Sequence, residues 1–153
     1  MRGTKVPSIL LTERDLHLFR EASEVAKIID REMAQEICGF PSVNRANERL
    51  LQLVRSGYLR RYFVGTEAGG RKSLYTLSPK AAATILSASN WRFKRPENVL
   101  LCGDTFTEHQ SAINWVWIAA KYRALPNAEF RRWVSFPEPL SKNIPLVPMD
   151  ISN

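Results

Sequence analysis

Residues 30–77 constrain the fold of this chain more than any other stretch. Asp30 is suited to cap a helix, and Met33, Ala34 and Ile37 follow it at helical spacing. Gly39 fits the left-handed residue that ends a helix, and Pro41 prevents continuation. Ser42 then offers a second cap, behind which Val43, Ala46, Leu50, Leu53 and Val54 form one apolar stripe before Gly57. Two runs rich in aromatic and β-branched residues come next, 58–64 and 71–77, separated by a glycine-rich tip at 65–70. Gly69 and Gly70 allow the positive φ angles of a turn. Two short helices across a tight turn, followed by a hairpin, predict a helix-turn-helix with a wing, a device for placing one helix in the DNA major groove.

The flanking segments predict an α+β protein: a winged helix-turn-helix over 1–95, then a smaller α/β region over 96–153 made of a long helix plus strands. Thr12 caps a first helix with Glu13 and Asp15 in its first turn, where acids suit the positive helix end. Its buried face is either Leu16, Phe19 and Ala22 or Leu18, Ala22 and Val25. It is expected to end near Glu24, with 25–29 as an extended connection. Ser78 and Pro79 open a fourth helix over 80–87. Residues 91–96 read as a basic aromatic linker, a hinge pinned by Trp91 and Phe93. Thr107 is placed as the cap of a helix reaching Arg123, with Ile113, Val116, Trp117 and Ala120 as its apolar side. That side needs a partner, either a sheet in the same chain or a second copy; the latter gives a homodimer through the 107–123 helix. Residues 130–136 are expected to form a strand, and the prolines make 144–150 extended.

Charge points to the partner. The net charge is +7, with a pI near 9.8, which favours a polyanion. From Ser42 to Arg95 the only acids are Glu48 and Glu67, against eleven lysines and arginines, whereas after Val99 the charges balance. The excess therefore sits on the helix-turn-helix and its exit segment. On the second of the two helices, Asn44, Arg45, Glu48, Gln52 and Arg55 fall opposite the apolar stripe. Arg can grip guanine through two hydrogen bonds, and Asn or Gln can do the same for adenine. The expected contacts to double-stranded DNA are Ser42, Asn44, Arg45, Glu48 and Gln52 for the bases. Arg49 is expected on a phosphate, and Arg60, Arg71 and Lys72 at the wing. Arg60 and Arg61 fall on opposite faces of a flat strand, so only one of them can face DNA.

Other chemistry is weakly represented. Cys38 and Cys102 form neither a disulfide framework nor a CxxC pair. His17 and His109 have no second ligand at a metal-binding spacing, and no phosphate-binding loop or nucleophile elbow is present. No catalytic residue, metal or cofactor is expected. The longest apolar run, 115–120, is far too short to span a bilayer, and the N-terminus has no apolar signal core. The expectation is a soluble cytoplasmic protein without a membrane partner.

Leu11-Thr-Glu-Arg-Asp-Leu16, the run from Arg45 to Leu59 and Tyr75-Thr-Leu-Ser-Pro-Lys-Ala81 together resemble the replication-relaxation family of winged-helix proteins, found on plasmids and other mobile elements. The likeness continues more loosely through Glu108-His109, Asn114, Trp133 and Pro148-Met-Asp150. It implies a sequence-specific DNA-binding protein in replication initiation or control; transcription regulators share the same fold. In that family the region after the His-bearing helix looks like the start of a restriction-endonuclease-like fold. Here Pro148-Met-Asp150 departs from the family's Pro-Asp dipeptide, and no acid-x-Lys pair follows. One aspartate cannot hold a metal that needs several oxygen ligands. Two alternatives stay open: the DNA-binding half of such a nuclease, its catalytic half beyond Asn153, and a winged helix that binds another protein.

Overall fold

The computed structural model describes residues 7–89, 103–123 and 126–133, with 86–89 and 103–106 described by their backbone alone. The protein is α+β. Among the described residues it has five α-helices, one π-helical turn and a two-stranded antiparallel sheet. The order is α1 (Glu13–Glu21), the π-turn (Ala22–Ala26), α2 (Arg31–Cys38), α3 (Val43–Arg55), β1 (Leu59–Gly65), β2 (Arg71–Leu77), α4 (Pro79–Ser89) and α5 (Gly103–Tyr122).

Helix caps set the boundaries of the first three helices. Thr12 and Asp15 form a reciprocal capping box: Asp15 N donates to Thr12 Oγ1 (3.4 Å), while Thr12 N donates to Asp15 Oδ2 (2.7 Å). Asp30 Oδ1 accepts from Met33 N (2.8 Å) at the start of α2, and Gly39 closes it at φ +64°. Ser42 Oγ accepts from Arg45 N (3.2 Å) and opens α3. The buried faces are Leu18 and Phe19 on α1, continued by Ala22 at the start of the π-turn, Met33, Ala34 and Ile37 on α2, and Ala46, Leu50 and Leu53 on α3. Ser78 joins two ends: its hydroxyl donates to Gly57 O (2.5 Å) and accepts from Ala81 N (3.3 Å), tying the exit of α3 to the start of α4.

The first helix does not stop at Glu24. It loosens into the π-turn, with Lys27 N donating to Ala22 O (2.9 Å), and ends at Lys27 with φ +55°. Such a turn leaves carbonyls without helical donors. Asn114, fully buried on α5, fills the gap: its Nδ2 donates to Ala26 O (2.9 Å) and Ile28 O (2.7 Å). Its Oδ1 accepts from Gln110 Nε2 (2.8 Å). The expected extended connection shrinks to one rung, in which Ile29 and Tyr75 exchange two backbone hydrogen bonds of 3.0 and 2.8 Å.

The hairpin pairs Leu59 with Leu77, Arg61 with Tyr75, Phe63 with Ser73 and Gly65 with Arg71. Leu59, Tyr75 and Leu77 are buried at its base, and the strands then run out past the body. The tip, 66–70, is closed by Thr66 N donating to Gly70 O (2.9 Å) and Gly69 N to Thr66 O (2.9 Å). Of the two tip glycines only Gly69 takes a positive φ, +82°.

The long helix differs from expectation in start and in phase. It begins at Gly103, so Thr107 lies a turn inside it, where the backbone is already helical and no cap is needed. Its inward side runs through Asn114, Trp117 and Ile118, whereas Val116 is 62% exposed. Apolar periodicity misplaced the face because the residue that anchors it is an asparagine. The partner of this helix lies in the same chain: Trp117 and Ile118 share one buried cluster with Phe19, Met33 and Leu50. Of the side of α5 expected to meet a partner, Trp117 is covered within the chain, whereas Val116 stays exposed. Phe130 and Trp133 pack against this core in irregular chain, not a strand. The linker at 91–96, Cys102, residues 134–136 and the segment 144–150 lie outside the described residues. No helix among the described residues is long and apolar enough to cross a membrane.

Candidate functional site

The outward side of α3 is where base-reading chemistry was expected. Asn44, Arg45, Glu48, Gln52 and Arg55 are all exposed there. Arg45 Nη1 meets Glu48 Oε2 at 3.2 Å in a solvent-exposed pair, an interaction of at most about 1 kcal/mol. Ser42 is half-buried, and its hydroxyl is occupied as the α3 cap. Because α5 packs on α2 and the π-turn, it leaves this side of α3 open.

Two residues expected at DNA are paired with buried carboxylates. Arg49 is not a free phosphate contact. Its Nε donates to Asp15 Oδ1 (3.0 Å) and its Nη2 to Asp15 Oδ2 (2.6 Å). The same Nη2 reaches Leu10 O (2.9 Å), and Nη1 reaches Gln52 Oε1 (2.9 Å). The Asp15 side chain is 1% exposed and that of Arg49 21%. Burial alone would raise the Asp15 carboxyl pKa; the Arg49 guanidinium, the Thr12 backbone N–H and the Thr12 hydroxyl outweigh it and hold the group below its ordinary value. The physical reason for the change of role is that a buried carboxylate needs a cation, and α3 supplies it. Lys72 follows the same logic: its Nζ lies 2.6 Å from Oδ2 of the buried Asp30. It is a latch between β2 and the α2 cap rather than a free wing clamp.

Arg55, Arg60 and Arg71 are exposed and have no acidic partner among the described residues. Arg61, on the opposite strand face from Arg60, donates through Nε and Nη2 to Ser73 Oγ (3.0 and 2.9 Å) and stacks 4.6 Å over the Phe63 ring. Phe63 itself is 57% exposed. Neither Phe63 nor Asn47 was singled out from the sequence. Asn47 Oδ1 lies 3.5 Å from the Tyr75 hydroxyl, on the flank of α3 that faces the hairpin. The alternation along β1 carried a signal for Phe63, since it shares a face with Leu59 yet lies beyond the body that buries Leu59.

The remaining titratable groups hold the helices together. Glu21 accepts from Lys121 Nζ (2.7 and 2.8 Å) and from the Tyr122 hydroxyl (2.6 Å), whose oxygen lies 2.9 Å from His17 Nε2. Burial, and then the bond to Glu21, push the Tyr122 pKa well up. Burial pushes the Cys38 thiol up to about 12, far from a reactive thiolate. Glu108 and His109 are both exposed. Among the described residues no cluster of His, Cys, Asp or Glu could hold a metal ion. No family model, curated protein or solved structure matches the chain.

Proposed function

We propose that this chain is a winged-helix protein that binds double-stranded DNA, with α2 and α3 as the helix-turn-helix and β1–β2 as the wing. The observation that carries this reading is the open polar side of α3 beside a projecting hairpin whose arginines have no acidic partner among the described residues. Asn44, Arg45, Glu48 and Gln52 would meet base edges; Arg55, Arg71 and one of Arg60 and Arg61, here Arg61, would meet phosphates. Freeing Arg45 from Glu48 costs little, since exposed pairs contribute about 0–1 kcal/mol. The likeness to replication-relaxation proteins supports a role in replication initiation or control on a mobile element; transcriptional regulation uses the same surface.

Fluorescence anisotropy with duplexes selected from a random pool tests the assignment. Arg45→Ala is expected to cost about 1–3 kcal/mol on the selected sequence and less on random DNA, whereas Arg71→Ala should weaken both alike. Equal losses for Arg45→Ala on both, or duplex binding that ignores salt, would overturn it.

A further inference from the structure

We infer that Phe63 is a base-stacking residue that inserts at a partly unstacked step of the bound duplex, beside the α3 contact. The inference rests on the DNA-binding reading above. A lone exposed aromatic is ordinary on a protein surface; Phe63 differs in how it is held. The Arg61 guanidinium covers one side of its ring at 4.6 Å and is itself fixed by two hydrogen bonds to Ser73 Oγ. Ser73 is the cross-strand partner of Phe63. The ring is thus oriented before any ligand arrives, which lowers the ordering cost of binding.

Its position fits the same partner. Phe63, Arg61, Ser73 and Tyr75 share one hairpin face, and Tyr75 approaches Asn47 of α3 at 3.5 Å. Beyond Tyr75 the residues of this face on β1, Arg61 and Phe63, are exposed. Arg71, paired with Gly65, lies on the same face, Arg60 lies on the opposite one, and Glu67 at the tip is the single acid of the hairpin. An apolar ring set among cations suits a polyanion whose interior is flat and aromatic. Side chains of this kind wedge between base steps and kink the duplex, and stacking on the open side of the ring leaves the cation–π contact intact.

The test uses the full chain and duplexes carrying 2-aminopurine at successive positions of the selected site. The expected result is enhanced fluorescence at one step with the wild type, lost with Phe63→Ala and retained with Phe63→Trp. Phe63→Ala should bind about tenfold more weakly, the size of one lost base–aromatic stack. Its melting temperature and salt slope should match the wild type, because the side chain is largely exposed and carries no charge. Unchanged affinity and no fluorescence change at any step, with duplex binding otherwise intact, would overturn the inference and leave the DNA-binding reading standing. Stacking confined to single-stranded DNA would overturn it as well. Failure of the wild type to bind any duplex would remove both.

Discussion

Arg49→Ala separates two roles that the sequence could not. As a phosphate contact, its loss would leave stability unchanged and reduce the salt dependence of binding by about one phosphate. The structure instead gives Arg49 two of the four hydrogen bonds that Asp15 accepts, the other two coming from Thr12 N and Oγ1. Without Arg49, the carboxylate stays buried with two donors and no cation. Removing one partner of a buried ion pair costs about 3–5 kcal/mol. Arg49 is 21% exposed, so water can partly replace it, and the lower end, about 3 kcal/mol, is the expected value. For a domain of this size that is a fall in melting temperature of about 6–12 °C. Thermal and urea unfolding of Arg49→Ala, Asp15→Asn and the double variant measure it. The double variant should recover much of the loss, because it also removes the stranded charge. Unchanged stability in Arg49→Ala, or strictly additive single effects, would refute the pairing as the reason for its burial.

The same pair sets an acid limit. The folded-state pKa of Asp15 lies below its unfolded value, so its contribution is full above about pH 5 and is lost as pH falls through the folded pKa. Glu24 acts in the opposite sense, raised by burial and then by Glu21. Urea midpoints between pH 3 and 7 should drop at the acid end in the wild type, and drop less in the Asp15→Asn, Arg49→Ala double variant. Asn114→Leu keeps the number of side-chain heavy atoms but removes the amide N–H groups that donate to Ala26 O and Ile28 O. At about 1–3 kcal/mol per stranded buried group, and a urea m-value of about 2 kcal/mol/M, the midpoint should fall by about 1–3 M; an unmoved midpoint would mean that water satisfies those carbonyls.

The elements legible in the sequence are those fixed by nearby residues. Asp30, Gly39 and Ser42 act on their own or adjacent turns, and α2, α3 and the hairpin appear where they were expected. The π-turn was illegible because the residue that satisfies its carbonyls lies 88 positions away. The phase of α5 was misread for a related reason: Asn114 counts as polar on a helical wheel, yet it is buried by what it donates to. The pairing of Arg49 was illegible because its acid lies 34 residues back on another helix. Composition shows which charges a face carries, but not which of them are already neutralised across the fold.

Asp15 and Asp30 each cap a helix and also grip a cation from the proposed DNA-reading elements. Asp15 closes the α1 capping box and holds Arg49 of α3; Asp30 caps α2 and holds Lys72 of β2. The orientation of α3 and of the hairpin is thereby tied to the N-termini of the two preceding helices. This arrangement withdraws two cations from the contact surface in exchange for a site already set before binding. The withdrawal has a measurable consequence. Five cations remain toward solvent on these elements: Arg45, Arg55, Arg60, Arg61 and Arg71. If each met one phosphate, these five would contribute at most about −4.5 to the slope of log K against log salt, and freeing Arg49 and Lys72 as well would add about −1.8. A slope about 1.8 shallower in the Arg49→Ala, Lys72→Ala double variant than in the wild type would mean that both latches open on DNA and that the buried carboxylates are switches; an unchanged slope would mean that they are fixed anchors.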